Sequence, residues 1–126
     1  MKVDSSVRIY ITQSWLNLTM NGQHHHAHMH PNSIISGVYY LEGGDSPLII
    51  ERENTVFGNM IDIPMGDEWT HGISIPNKRG TVILFPSRQK HKVDYYKHEE
   101  PRLSLAFNTN IKGKIGDDLN KTELTI

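Results

Sequence analysis

Along most of this chain, apolar side chains alternate with polar ones at every second position. A period of two is typical of β-strands, whereas a helix that is buried on one face repeats every three to four residues. No segment shows a helical apolar pattern longer than two turns. The chain is therefore predicted to be all-β.

Seven segments rich in β-branched and aromatic residues are predicted to be strands: 7–12, 14–20, 33–41, 46–51, 81–86, 91–96 and 102–108. Two weaker candidates are 59–64 and 71–76. Turn signals rich in glycine, proline and asparagine separate the segments. Short strands divided by turns favour an antiparallel sandwich or barrel, in particular a jelly roll.

The length of 126 residues predicts a single domain over 1–126, with 111–126 as a loose, polar C-terminal tail. A net charge of −1 requires neither nucleic acid nor an anionic membrane as a partner. No apolar run could span a bilayer, and the N-terminus does not read as a signal peptide. Edge strands of a bare barrel can pair with a second copy, so a homodimer is compatible with the pattern.

The chain contains no cysteine. Disulfides, thiolate metal sites and cysteine nucleophiles are thereby excluded, and the composition fits a reducing cytoplasm. Any metal must be held by nitrogen and oxygen ligands. Eight histidines supply such nitrogen.

Five of the histidines stand within the segment HHHAHMHPN, residues 24–32. If this segment is a strand, alternation places His24, His26, His28 and His30 on one face and His25, Ala27 and Met29 on the other. Two imidazoles at positions i and i+2 can reach one ion, and the pairs 24/26, 26/28 and 28/30 all satisfy that spacing. A solvated loop that binds metal without function is the alternative. A purification tag does not explain the run, because the run is interior and interrupted.

Two further residues begin predicted strands in the second half of the chain, His91 and Arg102. Alone, the first would be a structural histidine and the second a surface charge. Together, each at the start of a strand after a turn and both preceded by an H-x-H pair, they are a far more specific signal of a functional site.

Four segments resemble one enzyme family: SWLN (14–17), HMHPNSIISGVYYL (28–41), ILFPSRQKH (83–91) and PRLSLAFN (101–108). The resemblance, over about residues 13–110, is to the 2-oxoglutarate–Fe(II) oxygenases of marine bacteria and their phages, which are related to prolyl hydroxylases. It implies a double-stranded β-helix that uses Fe(II), O2 and 2-oxoglutarate as cosubstrate. The implied activity is a dioxygenase, specifically a hydroxylase, which couples decarboxylation of 2-oxoglutarate to oxidation of an unknown substrate.

The resemblance also implies roles for individual residues. His28, His30 and His91 match the metal ligands, and no catalytic residue is expected beyond the metal centre. Arg102 matches the basic residue that binds the far carboxylate of 2-oxoglutarate. Three more residues are expected beside the cosubstrate: Tyr40, Ser104 and Asn17.

One position departs from the wider superfamily, because His30 stands where a carboxylate usually completes the facial triad. Three neutral imidazoles leave the site about one unit more positive. His26 is the reserve ligand, and a carboxylate from elsewhere is the other option. The nearest such carboxylates are Glu51, Asp62, Asp67 and Glu68.

Two other functions are weighed against the oxygenase. The first is a cupin-type metalloenzyme that uses no 2-oxoglutarate; cupins usually place a glutamate three or four residues after H-x-H, where this chain has Ser33 and Ile34. The second is a non-catalytic jelly roll that binds a metal or a sugar. Turnover of 2-oxoglutarate to succinate distinguishes the oxygenase from the two other functions.

Overall fold

A computed structural model of the chain describes residues 7–51 and 72–126. These residues form ten strands and no helix, and therefore contain no helix able to span a membrane. The strands are β1 (Arg8–Thr19), β2 (His25–His28), β3 (Ile35–Glu42), β4 (Leu48–Ile50), β5 (Ile73–Ile75), β6 (Val82–Pro86), β7 (His91–Val93), β8 (Arg102–Lys112), β9 (Lys114–Ile115) and β10 (Leu124–Thr125). The prediction of an all-β fold is confirmed.

The strands form two four-stranded antiparallel sheets and a small hairpin. The first sheet has the order β1-β8-β3-β6 and the second the order β2-β7-β4-β5, while β9 pairs with β10. Neighbours in a sheet are mostly distant in sequence, as in a jelly roll, where consecutive strands cross from one sheet to the other. The jelly-roll architecture is the one that the alternating pattern predicts.

The core lies between the two sheets. Leu48 and Val93 of the second sheet pack with Phe85 of the first, and half-buried apolar side chains surround them: Val38, Ile50 and Ile83. This apolar cluster fills only part of the space between the sheets. Buried polar residues, among them His91, Arg102 and Ser104, occupy another part of the interior.

The strand boundaries differ from the sequence pattern in several places. Segments 7–12 and 14–20 form the single strand β1, whose register with β8 shifts between Ile11 and Gln13. The segment 91–96 is paired only over His91–Val93. The weak candidate 59–64 lies outside the described residues. In the C-terminal region, expected to be a loose tail, β9 and β10 form a hairpin closed by paired hydrogen bonds between Gly113 and Ile126.

The histidine run does not continue β1, because the chain turns at Asn21-Gly22 and enters the second sheet as β2. Gly22 has φ +82°, which glycine adopts without strain. In β2, His25 pairs with Val93 and His28 with His91, so four residues of β2 stand opposite three of β7. This bulge breaks the alternation. The expected separation of His25 from His28 is therefore wrong: both line the cavity between the sheets.

Gly37 offers a test of the packing of the first sheet. A Cβ atom there would contact the ring of Phe107 and lie 2.8 Å from Leu84 Cδ2. Replacing a strand glycine by alanine ordinarily stabilises a protein by about 0.5–1 kcal/mol, but overpacking costs about 1–3 kcal/mol. We expect Gly37→Ala to lower the free energy of unfolding in urea. In a double-mutant cycle, Phe107→Leu should recover part of the loss; an unchanged stability of Gly37→Ala would contradict this packing.

Candidate metal centre and anion pocket

Three histidines converge at one end of the cavity. His28 is the last residue of β2, His30 follows two positions later, and His91 begins β7. One ring nitrogen from each lies within 4.8 Å of the others, and the ring centroids of His28 and His91 are 4.4 Å apart. The centroid of His30 is 4.9 Å from that of His28 and 5.0 Å from that of His91. The structure thus brings together the three residues that the sequence resemblance singles out.

The other candidate ligands do not join this cluster. His26 is exposed, with its ring centroid 5.3 Å from that of His28. Glu51 instead forms a salt bridge with Lys90 at 3.4 Å. Asp62, Asp67 and Glu68 lie outside the described residues. Within residues 7–51 and 72–126, the potential metal site consists of imidazoles alone.

Backbone carbonyls fix the orientation of two of the rings. His28 Nδ1 lies 2.7 Å from the carbonyl oxygen of His26, and His91 Nδ1 lies 2.9 Å from that of Gln89. A carbonyl oxygen can only accept, so each Nδ1 carries the hydrogen and donates it. Each Nε2 then has a free lone pair, which is the state that a metal requires.

Burial favours the neutral form of two of the three imidazoles, His30 and His91. It lowers the pKa of His91 to about 4, despite the opposing effect of the hydrogen bond to Gln89. Burial, followed by the charge of His28, also lowers the pKa of His30. Metal ligation needs deprotonated nitrogen. Three imidazole nitrogens within 4.8 Å of one another fit a divalent transition metal such as Fe(II), Zn(II) or Co(II).

Arg102 is a buried charge without a counter-charge in the described residues. It is 2% exposed and forms no salt bridge in residues 7–51 or 72–126. Its guanidinium donates to Ser46 O at 3.2 Å and to Thr19 Oγ1 at 3.3 Å, and Nε has no partner in the part of the chain that the structure describes. Burial lowers the pKa of Arg102, yet a guanidinium stays protonated. An unpaired buried cation is costly, so this end of the cavity fits an anion.

The three other predicted residues lie in the same cavity. Asn17, Tyr40 and Ser104 line it together with the histidines and Arg102. Ser104 is the cross-strand partner of both Asn17 and Tyr40. Burial raises the pKa of Tyr40 to about 12 against the opposing charge of Arg102. The phenol therefore stays protonated and can donate a hydrogen bond.

Sequence reasoning did not identify two polar residues beside Arg102: Thr19, which accepts a hydrogen bond from it, and His25, which lines the cavity. Thr19 pairs with Arg102 across β1 and β8, and its hydroxyl lies 3.5 Å from His25 Nε2. His25 lines the cavity, and its pKa is lowered by burial first and by the charge of Arg102 second. Thr19 shares the alternation of Trp15 and Asn17, which was a usable signal. No signal in the sequence marks the bulge that turns His25 inward.

Comparison with known families gives one match that covers most of the chain. Residues 13–108 match the family model described as "Putative 2OG-Fe(II) oxygenase". No protein of curated function matches the sequence.

Solved structures share the fold at low sequence identity. A 2OG-Fe(II) oxygenase family oxidoreductase from Burkholderia pseudomallei is 14% identical with a TM-score of 0.66, over 85% of this chain and 47% of that one. EvdMO1 is 17% identical with a TM-score of 0.61, over 81% of this chain and 27% of that one. The chain thus spans about half the length of the first protein and about a quarter of the second.

The three-histidine cluster predicts where a metal binds. Adding Mn(II) or Co(II) at about 100 times its Kd should stabilise the protein by about 2.7 kcal/mol. The stabilisation is measured as a rise in Tm on addition of the metal. Replacement of His28, His30 or His91 by alanine should abolish this rise.

His24→Ala and His26→Ala are the matched controls, because both residues belong to the same run and lie outside the cluster. They should keep the full effect. Loss of metal stabilisation in either control, with retention in His91→Ala, would contradict the assignment.

Proposed function

The chain belongs to the 2OG-Fe(II) oxygenase family, and from this we propose that it is an Fe(II)- and 2-oxoglutarate-dependent dioxygenase, specifically a hydroxylase. The observation that carries the proposal is the coexistence of two features in one cavity. One is a cluster of three imidazoles, and the other is the buried guanidinium of Arg102, which has no carboxylate partner in residues 7–51 or 72–126. The substrate to be oxidised is left open.

His28, His30 and His91 would hold the iron. Three protein nitrogens leave about three positions of an octahedral ion free for cosubstrate and O2. When bound, iron and 2-oxoglutarate supply the oxidising chemistry, in which the cosubstrate is decarboxylated to succinate and CO2. The protein holds the reactants in a partly apolar cavity.

Arg102 would bind the carboxylate of 2-oxoglutarate farther from the metal. Its planar fork can donate two parallel hydrogen bonds to one carboxylate. Thr19 and Ser46 already hold the guanidinium in place, at 3.3 Å and 3.2 Å, so the group is oriented before the diacid arrives. Pre-orientation reduces the entropy lost on binding.

Tyr40 and Ser104 would supply further donors to the same carboxylate. Both are buried, and they face each other across β3 and β8. Because the pKa of Tyr40 is raised to about 12, its hydroxyl keeps the hydrogen needed for donation at neutral pH. Asn17, the partner of Ser104 on β1, would line the remaining wall.

Arg102→Lys tests the cosubstrate assignment. Lysine keeps the charge and loses the bidentate geometry, and losing about 1.4 kcal/mol corresponds to a tenfold change in Kd. We expect 2-oxoglutarate to bind the Mn(II)-loaded variant at least tenfold more weakly by calorimetry, and succinate formation with Fe(II) to fall in parallel.

Arg88→Lys, at an exposed arginine, is the control and should match the unaltered protein. An unchanged affinity for 2-oxoglutarate in Arg102→Lys would contradict the proposal. Metal binding without any succinate formation by the unaltered protein would favour the cupin-type or non-catalytic alternatives.

A further inference from the structure

A line of buried polar side chains runs through the interior to His30. Ser36 and Ser87 are almost completely buried, and Asn108 is nearly so. Ser33 Oγ lies 3.0 Å from Ser87 Oγ, which lies 2.8 Å from Ser36 Oγ. The amide of Asn108 is 2.7 Å from Ser36 Oγ and 3.5 Å from His30 Nδ1. We refer to these four residues, Ser33, Ser87, Ser36 and Asn108, as the polar relay.

The direction of the hydrogen bonds in the relay is set at its far end. Ser33 Oγ lies 2.8 Å from the carbonyl oxygen of Thr109, which has no hydrogen to give. The single hydroxyl hydrogen of Ser33 therefore goes to Thr109. Ser33 must then accept from Ser87, and Ser87 must in turn accept from Ser36, because each serine has only one hydrogen.

Ser36 consequently has no hydrogen left for Asn108. The group of Asn108 that faces Ser36 must be the donor NH2, and the amide oxygen must face His30. In the structure Oδ1 is on the Ser36 side, but a half-turn of the carboxamide exchanges two groups of nearly equal size. With the oxygen facing His30, Nδ1 of that ring must carry the hydrogen.

The opposite direction of the relay satisfies fewer groups. Ser33 would then donate to Ser87, and its oxygen would face the Thr109 oxygen at 2.8 Å with no hydrogen between them. The Thr109 oxygen would keep its hydrogen bond from Ile34 N–H at 2.9 Å, but the lone pairs of the two facing oxygens would repel each other. The direction that begins at Thr109 satisfies every contact in the line.

We propose that the polar relay holds His30 as the Nδ1–H tautomer, with Asn108 as the positioning residue. Nε2 of His30 is then free to bind a metal, in the same state that backbone carbonyls impose on His28 and His91. His30 stands where relatives of the wider superfamily have a carboxylate, which needs no tautomer control. This inference rests on the metal centre of the proposed function.

Nitrogen-15 NMR of the metal-free protein at neutral pH tests the proposal directly. In the unaltered protein, His30 should show a protonated Nδ1 and an unprotonated Nε2. Asn108→Ala removes the acceptor, so His30 should become a mixture of both tautomers.

Co(II) affinity gives a second readout. Loss of a partner that orients a metal-binding histidine typically weakens metal binding 10–100-fold, and we expect this range for Asn108→Ala. Asn110→Ala is the control, because the Asn110 amide donates only to the carbonyl of the exposed Asn32. Ser33→Ala removes the hydroxyl that sets the direction and should also mix the tautomers, even if Asn108→Ala does not fold.

A His30 ring protonated at Nε2 in the unaltered protein, or an unchanged tautomer in both Asn108→Ala and Ser33→Ala, would overturn the proposal. Neither measurement requires turnover. A correct tautomer without succinate formation would thus count against the proposed activity alone, and succinate formation with the wrong tautomer would count against the relay alone.

A separate observation concerns the outer face of the first sheet, defined as the side chains that point away from the cavity. Six of them are more than half exposed: Ile9, Ile11, Leu16 and Leu18 of β1, and Val82 and Leu84 of β6. Leu105 and Tyr39 of the two middle strands pair with each other on the same side. Within the described residues, the only charged side chain at this face is Glu42, at the end of β3.

The size of the outer face matches that of a small dimer interface. Every second residue of a strand points outward, so each outward residue takes up two rises of about 3.4 Å along the strand and one strand spacing of about 4.8 Å, or about 33 Å². About sixteen such residues therefore cover about 500 Å² in projection. Because the side chains make the face uneven, its accessible surface area is larger than this projected area. Standard interfaces bury about 800 Å² per partner, and weak ones under about 600 Å².

We propose that the outer face binds the same face of a second copy of the chain. Two copies of this face meet without charge repulsion, because the single charge lies at the rim, as is usual for interfaces. A symmetric dimer requires such a self-complementary surface. Sheet-on-sheet packing is also an established way for apolar sheet faces to be buried.

Light scattering across a protein concentration series tests this proposal. The unaltered protein should be dimeric at about 0.1 mM, and the double variant Leu16→Lys/Leu84→Lys should weaken the dimer at least tenfold. Leu119→Lys is the control, because Leu119 is 91% exposed in the C-terminal region, outside this sheet. Retained Co(II) binding would show that the double variant is folded. A monomer at 1 mM, or a dimer that the double variant leaves unchanged, would overturn the proposal.

Discussion

The pairing of β2 with β7 is the contact on which the site depends. It places His28 directly opposite His91, although 62 residues separate them in sequence. Opposite residues in an antiparallel pair have Cβ atoms about 4.5–5.5 Å apart, which is close enough for both rings to reach one ion. The bulge within β2 sets which histidines face inward. His30 then joins from just beyond the strand, where its backbone N–H donates to Ser87 O.

The two sheets contribute different halves of the cavity. The second sheet supplies His25, His28 and His91, while the first supplies Arg102, Tyr40 and Ser104. A diacid bound to both an ion and Arg102 would therefore bridge the sheets. Residues that hold the guanidinium, such as Thr19, contribute through the pairing of β1 with β8. The sandwich has to be assembled before the two half-sites face each other.

Period-two alternation identified most strands correctly, because each sheet buries one face and exposes the other. It failed at His25, because one extra residue between His25 and His28 lets both side chains face the cavity. The spacing allowed three histidine pairs as candidate metal ligands, and the resemblance to a family selected the pair His28 and His30. The role of Asn108 could not be predicted, because it depends on a contact between Ser33 and Thr109, which are 76 positions apart. Whether the predicted residues bind iron and 2-oxoglutarate stays a prediction.

The charges in the cavity connect the metal site to the anion site. Three neutral imidazoles leave a divalent ion with its full charge of about +2, and Arg102 adds one more positive charge with no carboxylate among the described residues to offset it. Each of these positive charges raises the electrostatic free-energy cost of placing the other in the cavity. A dianion such as 2-oxoglutarate would offset most of that charge, so its binding and that of the metal should favour each other reciprocally. In a site with a carboxylate ligand this coupling would be weaker, because one negative charge is already built into the protein. If the metal and 2-oxoglutarate bind as proposed, histidine at position 30 would make the cosubstrate part of the electrostatic balance that holds the metal.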